Sequence, residues 1–345
     1  MGAMTEGEPA RCPDDNTLGL LIAGELSGSE RARVERHLGG CPACAQLIAE
    51  HARATPRRAI PERYQLTRRL GAGAMGEVWE ADDTLLGRRV ALKFIRPEST
   101  DDHQYRARLV REARALARLR HPGIVAVYDL EQASDGELFL ALELVDGSTA
   151  RAWCAAAPRT TSEILAVWRA VADGLTAAHR AGIVHRDLKP DNVFIAGDGR
   201  VVIGDFGLAS VTADAGSPTL TASGQLVGTP LYMPPEQLRG GAATARSDQF
   251  ALCVCLWEAL VGSRPFHAAG TIAALVTAMR DRPALPIRRR GLLAVLARGL
   301  DPDPAKRWPD LPALVRALDR VRRRRWLAAI AIAALAAAAA LVAAR

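Results

Sequence analysis

One short run leaves this chain the fewest options: His185-Arg186-Asp187-Leu188-Lys189-Pro190-Asp191-Asn192, followed by Asp205-Phe206-Gly207. It sets a candidate proton acceptor, Asp187, beside a lysine suited to phosphate oxygens, Lys189, and adds two oxygen donors, Asn192 and Asp205, of the hard kind that magnesium prefers. The flanking residues read as short strands, so these side chains belong to loops between strands.

Two upstream motifs match that chemistry. Gly71-Ala72-Gly73-Ala74-Met75-Gly76-Glu77-Val78 lies between two strand patterns and predicts a hairpin whose small residues let the backbone close over phosphates, although alone it is also compatible with a plain turn. Seventeen residues after Gly76, Val90-Ala91-Leu92-Lys93 places a lysine inside an apolar strand, where the α- and β-phosphates of a nucleotide supply a reason for it.

Taken together, these motifs resemble the eukaryotic-type (Hanks-type) serine/threonine protein kinase family of bacteria, from about Tyr64 to about Arg320. The resemblance implies an α+β, bilobal fold and transfer of the ATP γ-phosphate to protein hydroxyls with Mg2+. It implies that Asp187 accepts the substrate proton, Lys189 neutralises the γ-phosphate, and Asn192 and Asp205 hold magnesium. Glu112 of Arg111-Glu112-Ala113 is then the helix carboxylate paired with Lys93. Gly71, Gly73 and Gly76 cover the phosphates, Glu143 and Val145 offer backbone bonds to adenine, and Val78 and Ala91 cover the ring. Lys189 and Thr229 resemble the serine/threonine branch. Ser217, Thr219, Thr221 and Ser223 are candidate activation-loop hydroxyls, with Arg186 as the cationic partner of a phosphate at Thr219 or Thr221. Glu236 with Arg307, and Asp248, are implied as scaffold; Pro234 stands where the family usually has alanine.

The chain's 345 residues suffice for one large two-lobed domain and a smaller one. Strand-like runs at Tyr64 to Leu70, Glu77 to Ala81, Arg89 to Ile95, Ile124 to Leu130 and Leu138 to Leu144, with a helical pattern at Gln104 to Leu119, predict a five-stranded lobe carrying one helix. After Gly147 the pattern is mainly helical. We therefore expect a kinase domain over 64–320, after a linker at 53–63 rich in Ala, Arg and Pro.

Before the linker, Leu18 to Ala23 and Ser29 to Leu38 read as short helices, with a third beginning at Cys41. Cys12-x24-His37-x3-Cys41-x2-Cys44 offers four ligands of the number and type a closed tetrahedral Zn2+ site requires. Residues 10–52 resemble the zinc-binding anti-sigma-factor domain, some members of which sense oxidants and others of which hold zinc structurally. A protein partner for this module is a further expectation. Cys154, Cys253 and Cys255 lack metal-like spacing and read as apolar core. Six unevenly placed cysteines do not make a disulfide framework.

Charge is uneven: residues 1–50 carry four arginines against eight acids, so the remainder holds +11 of a total of +7. The arginine runs 288–290 and 322–325 lack aromatic interleaving, and nucleic acid is not expected as a partner. Residues 327–344 are 18 uncharged positions, about 27 Å as a helix, following Arg322 to Arg325 and Trp326. This predicts a single-pass transmembrane helix in the cell membrane, or else a surface-bound helix, with the other domains cytoplasmic. Two readings of the whole follow: a membrane-tethered serine/threonine kinase with a regulatory zinc module, or a kinase-fold scaffold whose zinc module does the binding. Lys93, Asp187 and Asp205 are all present, which favours the first.

Overall fold

In the computed structural model the described residues are 12–14, 17–18, 21, 28–46, 60–73, 76–95, 103–134, 136–206, 230–266, 271–281, 283 and 290–323. The expected apolar span at 327–344, the four activation-loop hydroxyls and Thr229 lie outside them. Among the described residues no helix is long and apolar enough to cross a membrane. The chain divides into two compact units, 1–60 and 61–345.

In the first unit, helix α1 (Gly28–Gly40) runs through Gly39 and Gly40, past the expected end at Leu38. Residues 42–46 form a second helical turn. Among the described residues of this unit, Leu18, Val34 and Cys44 are the buried apolar side chains.

The second unit opens with five antiparallel strands, β1 (Tyr64–Gly73), β2 (Gly76–Asp83), β3 (Arg88–Ile95), β4 (Val127–Gln132) and β5 (Leu138–Glu143), in the order β1-β2-β3-β5-β4. β3 is buried along most of its length and pairs with a neighbour on each side, as a central strand rich in Val, Leu, Phe and Ile should. Helix α2 (His103–Arg118) is amphipathic and puts Leu109, Ala113 and Leu116 into the core. The expected fourth strand begins later than its apolar run. Ile124 instead makes one parallel bridge to Ile203, because the Pro122-Gly123 turn brings the Gly123 carbonyl to the Ile203 N–H at 2.9 Å. That bridge ties the end of the α2 segment to the strand leading into Asp205.

A three-stranded sheet, β6 (Gly147–Thr149), β7 (Val193–Ala196) and β8 (Val201–Ile203), in the order β6-β7-β8, opens the helical lobe. Helix α3 (Ala150–Ala156) follows β6, and α4 (Thr161–Arg180) begins with a capping box in which Thr160 and Glu163 satisfy each other's backbone N–H groups. A short helix, α5 (Pro235–Leu238), precedes α6 (Ala245–Val261). Twelve of α6's residues are buried, as expected of a helix hydrophobic on every side. Helices α7 (Ile272–Ala278) and α8 (Arg290–Gly299) pack around it. The loop from Gly182 to Lys189 hangs between α4 and β7, braced by α6.

Candidate active site and metal centre

Asp248, in the first turn of α6, builds the loop. Its carboxylate accepts the backbone N–H of His185 at 2.8 Å and of Arg186 at 2.9 Å, and meets His179 Nε2 at 2.7 Å. These bonds hold Arg186 at φ 70°, a left-handed conformation a non-glycine residue adopts only when its surroundings enforce it. His185 is fully buried against Phe206, with Nε2 on the Gly204 carbonyl at 3.0 Å and Nδ1 accepting the Asp187 N–H at 3.3 Å. That pairing fixes the proton on Nε2.

Asp187 is therefore aimed by its backbone and then by its neighbours. Lys189 Nζ lies 2.8 Å from Asp187 Oδ2, while the Asn192 amide donates to the Asp187 carbonyl at 2.8 Å and to Oδ2 at 3.3 Å. Because Asn192 spends its nitrogen there, its oxygen is the donor suited to Mg2+. The Gly204 N–H bonds the Asn192 carbonyl at 2.9 Å, so the segments carrying Asn192 and Asp205 are joined directly. Burial alone would raise the Asp205 pKa; the Lys93 ammonium at 2.9 Å more than offsets it and holds the carboxyl below the usual range.

Lys93 is buried on β3, in register with Val78 on β2 and Leu140 on β5. Gly73 pairs with Gly76 at the tip of the first hairpin, and Gly76 takes φ 126°, a region open to glycine. A Cβ at Gly71 would meet no protein atom within 4 Å, so the space beside that glycine is open. Ala91 is buried on β3, and Val78 and Val145 are half-buried.

The expected Glu112–Lys93 pair is not formed. Lys93 binds Asp205, and the Glu112 carboxylate takes Arg186 Nη1 at 2.8 Å instead. The two residues that take the exchanged pairs, Arg186 at φ 70° and Asp205 at φ 52°, both have left-handed backbone. Two ion pairs replace one.

Glu143 uses its side chain as well as its backbone. It accepts the Ala126 N–H at 3.2 Å and Arg200 Nη2 at 2.6 Å, fastening the segment between the lobes to the β7–β8 turn. Glu236 and Arg307 form a bidentate pair at 2.7 and 2.8 Å, with Arg307 buried and also bound to the Asp301 and Arg246 carbonyls. Arg151, which no motif marks, grips Asp191 with two bonds of 2.8 Å and Tyr232 Oη at 2.8 Å. Asp191 lies inside the conspicuous motif, but a partner 40 positions away has no local signature.

In the N-terminal unit, Cys12, His37, Cys41 and Cys44 bring their ligand atoms within 4.8 Å of one another, with the Cys12 and Cys41 sulfurs 4.0 Å apart. Tetrahedral zinc with sulfur at about 2.3 Å needs ligands roughly 3.8 Å apart. His37 Nε2 is buried without a hydrogen-bond partner, the mark of a nitrogen placed for a metal. Burial pushes the Cys44 thiol up to about 12, and the Cys44 N–H holds the Cys41 thiol below its ordinary value. Three sulfur donors and one imidazole nitrogen converging at this spacing are the ligand set of a closed tetrahedral site, so the residues fit zinc.

Comparisons agree with both units. A protein kinase domain model matches residues 64–308, and a zinc-finger model matches residues 16–45. The chain is 38% identical over 252 residues to serine/threonine-protein kinase PknD of Mycobacterium tuberculosis, covering 71% of this chain and 37% of that one. It is 34% identical over 288 residues to serine/threonine-protein kinase pkn3 of Myxococcus xanthus, covering 77% and 52%. The chain thus spans about half or less of the length of these curated relatives. The crystal structure of the Mycobacterium tuberculosis PknI kinase domain superposes with a TM-score of 0.58 at 31% identity, over 76% of this chain and 98% of that one.

Proposed function

This chain belongs to the protein kinase family, and from that premise we propose that it transfers the ATP γ-phosphate to serine and threonine hydroxyls of proteins. The observation that carries the reading is Asp187, held by the His185 ring, Lys189 and Asn192, in a segment bonded directly to the one bearing Asp205. Asp187 takes the hydroxyl proton as attack proceeds, and Lys189 neutralises charge on the moving phosphoryl group; positioning and charge supply most of the acceleration. Mg2+ held by Asn192 and Asp205 would screen the phosphate oxygens. Incubation with Mg-ATP and a general protein substrate is expected to yield phosphoserine and phosphothreonine; phosphotyrosine alone would contradict the specificity.

Control is read from the exchanged ion pairs. With Glu112 on Arg186 and Asp205 on Lys93, the molecule is arranged short of transfer. A phosphate at Thr219 or Thr221, placed by autophosphorylation, would compete for Arg186 and free Glu112 for Lys93. Alanine at Ser217, Thr219, Thr221 and Ser223 together should lower activity at least tenfold; unchanged activity contradicts this route.

The N-terminal module is read as a zinc site for binding a protein partner or sensing oxidants, supported by the ligand geometry and by the buried His37 nitrogen. Residues 327–344, with Arg322 to Arg325 before them, support a single-pass tether with the kinase on the cytoplasmic side of the cell membrane. Release from membranes by alkaline carbonate would contradict a spanning helix.

A further inference from the structure

Beside the phosphoacceptor loop the chain has assembled an acidic pair and then covered it with its own arginine. Asp191 lies on the 3₁₀ turn Pro190–Asn192, next to the residue that holds Asp187. Glu258 reaches the same place from α6 through Tyr232, whose hydroxyl donates to it at 2.6 Å. Arg151, from the first turn of α3, binds both ends: bidentate on Asp191, 2.8 Å from the Tyr232 oxygen, and 4.0 Å from Glu258. Tyr232 also lines a tight recess with Arg186, Asp187 and Leu188, so the cluster lies beside Asp187, the proposed acceptor of the substrate proton. The pairs are not sequestered: the Arg151 and Asp191 side chains are 46% and 43% exposed and Glu258 is 24% exposed, within reach of a docked peptide.

Two carboxylates beside the proposed proton acceptor would favour a substrate with a basic residue near its target, through charge-assisted bonds. Here that position is filled in cis. We propose that Arg151 is a specificity residue which occupies the Asp191/Glu258 pair in place of a substrate arginine or lysine, so that the enzyme selects serine and threonine sites without a basic neighbour. This rests on the kinase reading above.

The experiment walks a single arginine across the positions flanking the threonine of a neutral peptide and compares kcat/KM with the all-neutral parent, for the full chain and for Arg151→Ala. The wild type is expected to show ratios within threefold of one at every position. Arg151→Ala should raise the ratio about tenfold or more at one or two positions, mainly through KM, and adding Glu258→Gln should remove most of that gain. Arg151→Gln, which keeps the stem, makes the same test if the alanine variant fails to fold. A purely structural role would lower turnover of all peptides alike and leave the ratios unchanged, which overturns the proposal. So does a wild type that already prefers arginine tenfold. Failure of the wild type to phosphorylate any peptide, itself included, would overturn the kinase reading first and this inference with it.

Discussion

Three neighbours decide what Asp187 can do: the His185 ring below its backbone, the Lys189 ammonium and the Asn192 amide. In the proposed mechanism Lys189, whose ammonium lies 2.8 Å from Asp187 Oδ2, is the one whose charge would act on the phosphoryl group in transit. Lys189→Ala should therefore lower kcat about 100-fold or more with little change in the KM for ATP, checked by steady-state kinetics. Asp205 is held below the ordinary carboxylate range by Lys93 against the effect of burial, and so stays ionised throughout the neutral range. Its sign follows: the depressed pKa favours the folded, paired state above the ordinary carboxyl pKa, and that contribution disappears only as pH falls through the lowered value. At this scale the motif residues were legible because phosphoryl transfer demands particular side chains at fixed spacing. Arg151 and Arg200 were not, since a guanidinium that crosses from one segment to another leaves no trace in its own neighbourhood. Glu112 was found, but its partner Arg186 lies 74 positions away, and a pairing at that distance is not dictated by residue type.

At the scale of elements, the β1–β2–β3 sheet is stitched at one end by Asp83, a buried carboxylate that takes two 2.8 Å bonds from Arg63 and one from Arg88. The Arg63 bonds hold its pKa at about 2. A depressed carboxyl pKa stabilises above the unfolded value and loses that effect as pH falls toward 2. Asp83→Asn should lower the melting temperature at pH 7, and the difference from wild type should shrink steadily below pH 4. The Glu236–Arg307 pair clamps the helical lobe. Glu236→Gln leaves a buried guanidinium underpaired, a loss of about 3 to 5 kcal/mol by thermal or urea unfolding. Strands were legible where a continuous apolar run met partners in register, as in β3 and β5. The start of the fourth strand was not, because Ile124 is apolar for a different reason: it bridges to Ile203 and closes the core beneath the catalytic loop.

For the whole molecule, the two units rest on different physics. Among the described residues the larger unit buries a continuous core from Ile95 to Leu318, whereas the N-terminal unit buries Leu18, Val34 and Cys44 beside four converging ligands. Zinc should therefore purify with the chain near one atom per molecule, and Cys41→Ser should lose it while leaving the kinase domain's melting transition in place, as read by metal analysis and calorimetry. The spacing of those ligands was legible in the sequence; the isolation of the His37 nitrogen that argues for a metal was not. The central claim concerns the larger unit. Phosphate incorporation from Mg-ATP should be readily detected with the wild type and fall at least about 100-fold in Asp187→Asn, at an unchanged melting temperature. Equal incorporation by the two proteins, or none by either, would contradict it.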